Sequence, residues 1–163
     1  MKFTYKAGNA LDVGCGVGGR LIRIMQNRGF SVTGLDVSKE MVGLASKNHP
    51  NHNFINQDIC SWGTSEKFDF IVACDSIFHL PLAMQNPVVS KPCQLLAKGG
   101  ILMCTFVNAE GEHADQWRGE TFCYSSIGIN ENVRELINNG LSVLHLELDR
   151  YPERHVYVIA TRP

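Results

Sequence analysis

The stretch LDVGCGVGG, Leu11–Gly19, decides how the rest of the chain is read. Apolar Leu11 and Val13 run into a turn with glycines at positions 14, 16, 18 and 19. That is the pattern of a buried strand ending in a loop whose backbone bends sharply or approaches a ligand closely. Gly14, Gly16 and Gly19 fit the spacing G-x-G-x-x-G, and Asp36 follows Gly14 by 22 positions (36 − 14). In a strand–loop–helix setting this combination marks a nucleotide site, with a carboxylate at the tip of the second strand accepting ribose hydroxyls. On these residues alone, a dinucleotide and another ribose-bearing ligand both stay open.

Outward from that loop, strand and helix signals alternate, which predicts a doubly wound α/β sheet. Ala10–Val13 ends the first strand, and a helix is expected over about Gly18–Arg28, with Leu21, Ile22, Ile24 and Met25 on its apolar face and Gly29 just beyond it. Phe30–Leu35 reads as strand two. Ser38 is an N-cap for a helix over Lys39–Lys47. Asn53–Asn56, Phe68–Ala73 and Gly100–Val107 read as strands three, four and five. Asn86, Pro87, Ser90 and Pro92 offer two alternative starts for a helix reaching Ala97, with Lys98-Gly99-Gly100 ending it. Residues 108–128 form a long polar and aromatic connection without clear periodicity, a length usually associated with function or disorder. A helix over Asn130–Asn138 precedes two strands, Ser142–Leu148 and His155–Thr161, whose short turn around Pro152 implies antiparallel pairing.

Composition sets the outer bounds. A chain of 163 residues with 44% hydrophobic content can bury one core, so residues 1–163 are expected to form a single domain. A net charge of −1 with scattered Lys and Arg argues against nucleic acid as a partner. The absence of a signal-like or membrane-length apolar run points to a cytoplasmic protein with no membrane partner. Six cysteines without a C-x-x-C pair read as buried thiols, and no metal site is expected.

Three acidic positions separate the ligand classes. Asp12, just before the glycines, suits an ammonium or sulfonium better than a pyrophosphate. Asp58, ending strand three, is placed to accept from an adenine amino group. Taken in order, ALDVGCGVGG, VTGLDVS, INQDICSW, FDFIVACDSIFHL and LLAKGGILMCTF resemble the class I S-adenosylmethionine-dependent methyltransferases over nearly the whole chain. The resemblance implies a three-layer, Rossmann-like, seven-stranded sheet of order 3-2-1-4-5-7-6, with strand seven antiparallel. It implies that Asp12, Gly14, Gly16 and Gly18 hold the methionine end of the cofactor. By the same resemblance Asp36 takes the ribose hydroxyls, beside Val37, and Met41 packs on adenine. Asp58 faces the adenine amino group with the Ile59 backbone beside it, while Cys74 and Asp75 lie near the transferable methyl. Cys15, within the glycine loop, reads as a space-filler in the cofactor site rather than a nucleophile.

The reaction implied is in-line methyl transfer to a small-molecule acceptor, leaving S-adenosylhomocysteine. His79 is the first candidate for a general base and Asp75 the second, the latter also able to orient the acceptor. Trp117, Phe122 and Tyr124 are candidates for an aromatic wall. Glu112, His113 and Asp115 match no metal spacing, and His145 and His155 read as structural. Family members usually carry one or two helices before the glycine strand, whereas here that strand begins within about ten residues of Met1. Either the site stays open or another segment covers it, with residues 108–128 as the candidate lid and a neighbour in a homodimer as a second way to cover it. Two alternatives stand beside this reading: a non-catalytic module binding S-adenosylmethionine or S-adenosylhomocysteine, and an NAD-dependent oxidoreductase.

Overall fold

Apolar side chains on both faces of Asn9–Val13 (β1) place it at the centre of a sheet, the pattern expected of a parallel strand covered by helices on each side. The computed structural model describes residues 8–149 and 154–163. After β1 come α1 (Arg20–Asn27), β2 (Ser31–Asp36), α2 (Lys39–Asn48), β3 (Asn53–Asn56) and β4 (Phe68–Ala73). Two short 3₁₀ turns, Ile77–His79 and Leu82–Met84, lead to α3 (Gln85–Leu95) and β5 (Leu96–Val107). Then follow β6 (Glu110–Trp117), β7 (Glu120–Ile127), α4 (Gly128–Asn138), β8 (Ser142–Asp149) and β9 (His155–Thr161).

The sheet has seven strands in the order β3-β2-β1-β4-β5-β9-β8. β1 to β5 pair in parallel, and β9 runs antiparallel to both β5 and β8. This is the expected topology, with β9 in the role of strand seven. Each face is covered by its own apolar cluster. Leu11, Val13, Ile71, Leu102 and Phe106 pack with Val88, Cys93 and Leu95 of α3 and Leu136 of α4 on one side. Ala10, Val32 and Val72 pack with Ile22 and Met25 of α1 on the other. Because side chains alternate along a strand, Asp12 projects to the α1 side with Ala10, out of reach of bulk water at 4% exposure. No helix among the described residues is long and apolar enough to cross a membrane.

Two expectations need correction. Residues 108–128 are not an irregular connection: β6 and β7 form an antiparallel ribbon joined at Arg118-Gly119, both at positive φ (51° and 85°). Two left-handed residues in succession match the twist of the flanking strands, as in a two-residue hairpin turn. The helix before strand five also ends earlier than Lys98. α3 closes at Leu95 and the chain is already extended from Leu96, so Gly99 (φ 77°) and Gly100 belong to the strand. Pro87 fits the first turn of α3, whereas Pro92 lies inside it and removes an interior donor near its end.

Gln85 explains how the ribbon is held. This side chain is 1% exposed, and its Nε2 lies within 3.1 Å of the Ile77 and Leu80 carbonyls and 3.0 Å from Ser125 Oγ. One amide thus ties the turn after β4 and the ribbon strand β7 to α3. Ser125 Oγ donates to the same Leu80 carbonyl at 2.6 Å. Gln85→Ala is expected to cost about 2–4 kcal/mol in urea unfolding, because it opens a cavity and strands buried acceptors.

Candidate functional site

The C-terminal ends of the parallel strands converge on one cleft, where open α/β sheets bind ligands. The glycine loop is folded against β2, with the amides of Gly14 and Cys15 donating to Leu35 O at 2.8 and 3.1 Å. Gly14, Gly16 and Gly18 all take positive φ (75°, 54° and 75°). The first and last also need the absence of a side chain for space. A Cβ at Gly14 would lie 2.3 Å from Ser76 Cβ, and one at Gly18 would lie 2.7 Å from the His49 ring. Gly16 differs, since a Cβ there would meet nothing within 4 Å.

The loop is pinned from residues that local sequence patterns do not flag. Asn48 Nδ2 donates to Val17 O at 2.9 Å, and His49, buried at the end of α2, donates from Nε2 to Gly18 O at 2.7 Å. Ser76 Oγ donates to Val13 O at 2.8 Å. Asp36 accepts from Gly16 N through Oδ2 and from Ser38 N through Oδ1, both at 2.9 Å. One carboxylate therefore joins the glycine loop to the start of α2, and each oxygen retains a lone pair for a ligand.

The cleft has a volume of about 480 Å³. Val13, Leu35, Ile59, Ile77, Leu80 and Val88 give it apolar walls that suit a flat base. Of the expected site residues, Gly14, Asp36, Val37, Asp58, Ile59, Asp75 and His79 line it. Asp12, Cys15, Gly16, Gly18, Met41 and Cys74 are not among its lining residues. Met41 is 40% exposed on α2, while Asp12 and Cys74 stand behind the glycine loop on the α1 side. The charged lining consists of Asp36, Asp58 and Asp75, with no Lys or Arg among the described lining residues. Asp58 also stabilises its own turn, its Oδ1 accepting from Cys60 N at 2.9 Å.

Electrostatics behind the loop are unusual. Burial, with the nearby Asp36 charge adding to it, pushes the Asp12 carboxyl from 3.8 up to about 7. Burial first, then Asp12 and Asp36, pushes the Cys15 thiol up to about 12, so it stays protonated at neutral pH. Cys74 is pushed up to about 11 by burial and by the charges of Asp75 and Asp12.

The end of β4 brings together residues that the sequence separates. Asp75 has φ 51°, uncommon for a non-glycine residue, and its N–H donates to Thr105 Oγ1 at 2.7 Å. His155 Nε2 lies 2.8 Å from Asp75 Oδ1, so His155, expected to be structural, touches a candidate site residue. His79 borders the same cleft, its ring edge-on to Phe122 at 4.6 Å and its Nδ1 3.4 Å from Cys123 O. Within the described residues no cluster of three or more potential metal ligands occurs.

The Asp12 shift has a testable sign. A folded-state pKa above the unfolded one means that the native protein holds a proton the unfolded chain releases. Stability contributed by this group is therefore lost as pH rises from about 4 through about 7. Asp12→Asn mimics the protonated acid and cannot ionise. It should be more stable than the parent at pH 8, by up to about 4 kcal/mol, and lose that advantage toward pH 4 in urea unfolding.

Comparison with known proteins agrees with this geometry. A family model described as "Methyltransferase domain" matches residues 10–100. The ubiquinone biosynthesis O-methyltransferase of Coxiella burnetii is 34% identical over 114 residues, 66% of this chain and 47% of its own, so the chain spans about half the length of that relative. A putative methyltransferase of Bacillus subtilis is 29% identical over 165 residues, covering 91% of this chain and 66% of its own. Among solved structures, an S-adenosylmethionine-dependent methyltransferase from Methanosarcina mazei superimposes with TM-score 0.82 at 19% identity, over 98% of this chain and 94% of that one. The magnesium protoporphyrin IX methyltransferase of Synechocystis PCC 6803, solved with S-adenosylmethionine bound, gives TM-score 0.69 at 22% identity, over 94% and 69%. At these identities the two structures speak to the fold. The family model spans more than half of the chain, which therefore belongs to the family it describes, a methyltransferase domain.

Proposed function

We propose that residues 1–163 form a single domain that transfers the methyl group of S-adenosylmethionine to an oxygen of a small molecule. The observation that carries this reading is the cleft lining: three carboxylates, apolar walls, and no Lys or Arg among its described residues. A dinucleotide pyrophosphate would meet like charge there, which counts against the oxidoreductase alternative. A nucleoside carrying a sulfonium and an ammonium meets the opposite sign. The choice of oxygen rests on likeness to the Coxiella relative, named for O-methylation in ubiquinone biosynthesis.

Each site residue has a defined task in this reading. Asp36 uses its remaining lone pairs for the ribose hydroxyls while still holding Gly16 and Ser38. Asp58 and Ile59 border the base on the β3 side, and Val37 borders it just beyond the end of β2. Gly16, with open space before it, lets the loop backbone lie close to the ligand. Asp12 stabilises positive charge at the loop, and a cation there favours its ionised form, so binding below about pH 7 releases a proton. Arg20, at the start of α1 and close enough to act on Cys74, is suited to the ligand's carboxylate. S-adenosylmethionine, when bound, supplies a methyl already activated by its sulfonium. The protein's contribution is then positioning, which can supply up to about 7–11 kcal/mol, together with a proton acceptor for the hydroxyl.

Calorimetric titration should show S-adenosylmethionine and S-adenosylhomocysteine binding at micromolar concentration and no binding of NADH. Asp36→Ala should weaken the first two by about 1.5–3 kcal/mol, the scale of lost bonds to a charged group. NADH binding with no response to S-adenosylhomocysteine would contradict the reading.

A further inference from the structure

A second cavity, of about 530 Å³, lies between the β6–β7 ribbon and the start of β9. Phe78, Phe122, Tyr124, Asp115, Arg154 and His155 are among its lining residues. It adjoins the cofactor cleft where Asp75 of the cleft and His155 of the cavity are bonded at 2.8 Å, and again where His79 of the cleft meets Phe122 of the cavity, ring centroids 4.6 Å apart. We propose that this cavity is the acceptor site and takes a planar aromatic acid bearing a hydroxyl, a substrate class that deepens the methyltransferase reading and rests on it.

Ring surface is the first reason. Phe122 and Tyr124 sit on one face of β7 with centroids 6.2 Å apart, and His113 stacks on Tyr124 at 5.2 Å. Phe122 stays 39% exposed although it is large and apolar, so it offers a face to a ligand rather than to the core. Charge is the second reason. The titratable side chains facing the cavity are His113, Asp115, Arg154, His155 and, through its hydroxyl, Tyr124. Tyr124 donates that hydroxyl to Asp115 Oδ2 at 2.8 Å, which engages the cavity's carboxylate from within the protein. His155 is bonded to Asp75 through Nε2, while its Nδ1 makes no hydrogen bond and has Asp149 Oδ2 3.4 Å away, an ion pair only when the ring is protonated. Arg154 is the fixed positive charge of the lining, and a guanidinium both pairs with a carboxylate and stacks on aromatic rings.

The shared rim supplies the chemistry. Asp75 is held by Thr105 and His155, yet 65% of its side chain is exposed. An acceptor hydroxyl beside it loses its proton to the Asp75 carboxylate as its oxygen attacks the methyl carbon. The new O–C bond forms as the S–C bond breaks, and that electron pair stays on sulfur as a neutral thioether. His155 acts through Asp75 and is a positioning residue.

The test uses the full chain saturated with S-adenosylhomocysteine, titrated with 3,4-dihydroxybenzoate, with catechol, and with tyramine as a cationic aromatic probe. Dihydroxybenzoate should bind about tenfold or more tighter than catechol, and Arg154→Ala should abolish that difference while leaving S-adenosylhomocysteine binding intact. With S-adenosylmethionine, the acid should be methylated, and His155→Gln should lower kcat with little change in KM for the acid. Tighter binding of tyramine than of the acid would overturn the proposal, as would absence of acid binding in a protein that holds S-adenosylhomocysteine, or indifference to Arg154→Ala. Failure to bind S-adenosylhomocysteine at all would instead overturn the methyltransferase reading beneath it.

Discussion

The carboxylate of Asp36 is the joint on which the cofactor side depends. It accepts one backbone amide from the glycine loop and one from the residue before α2, each at 2.9 Å. β3 secures the same corner, since Asn56 Nδ2 donates to the Asp36 and Val37 carbonyls at 3.0 and 2.8 Å and Gln57 N donates to Asp36 O at 3.1 Å. The tip of β2, the glycine loop and the edge of β3 are thus fixed relative to one another by the protein alone. A ligand entering such a corner pays little to organise it, which is how a preformed cleft converts contacts into affinity.

Behind that corner the fold stores an electrostatic imbalance. β1 buries Asp12 on the α1 face with Asp36 nearby, and nothing cationic lines the cleft in front among its described residues. Desolvation of a carboxylate is unfavourable in the empty protein and is relieved by a cation in the site. Under the proposed function, the same arrangement that lowers stability at neutral pH favours a cationic ligand. Sequence position, strand alternation and ligand chemistry meet in this one residue.

The glycine loop and the acid at the tip of β2 are legible in the sequence because their signals are local. A glycine loop after an apolar strand, and an acid at the end of the next strand, lie within a few tens of residues and obey the strand period. β3, β4 and β9 fall where apolar alternation and turn residues place them. The β6–β7 side is hidden for physical reasons. β6 reads EGEHADQW because a two-stranded ribbon buries little, so it carries no alternating apolar face, and Arg-Gly is a weaker turn signal than Asn-Gly. Leu95 and Leu96 are both buried, one ending a helix and one opening a strand, and a continuous apolar run conceals that switch. His155 looks like any strand residue until the sheet brings it against Asp75, 80 positions away.

The hairpin thereby connects the two halves: Gln85 anchors β7 to the turn after β4, and the rings of β7 face the rim formed by Asp75 and His155. The central claim is that the corner built on Asp36 receives an adenosyl ligand. Amide chemical shifts recorded by NMR during titration with S-adenosylhomocysteine test it most directly. The account predicts the largest changes at Gly16, Val37 and Ile59, around the glycine loop and the tips of β2 and β3. Changes confined to the β6–β7 ribbon or the β8–β9 edge, with those three amides unmoved, would contradict it.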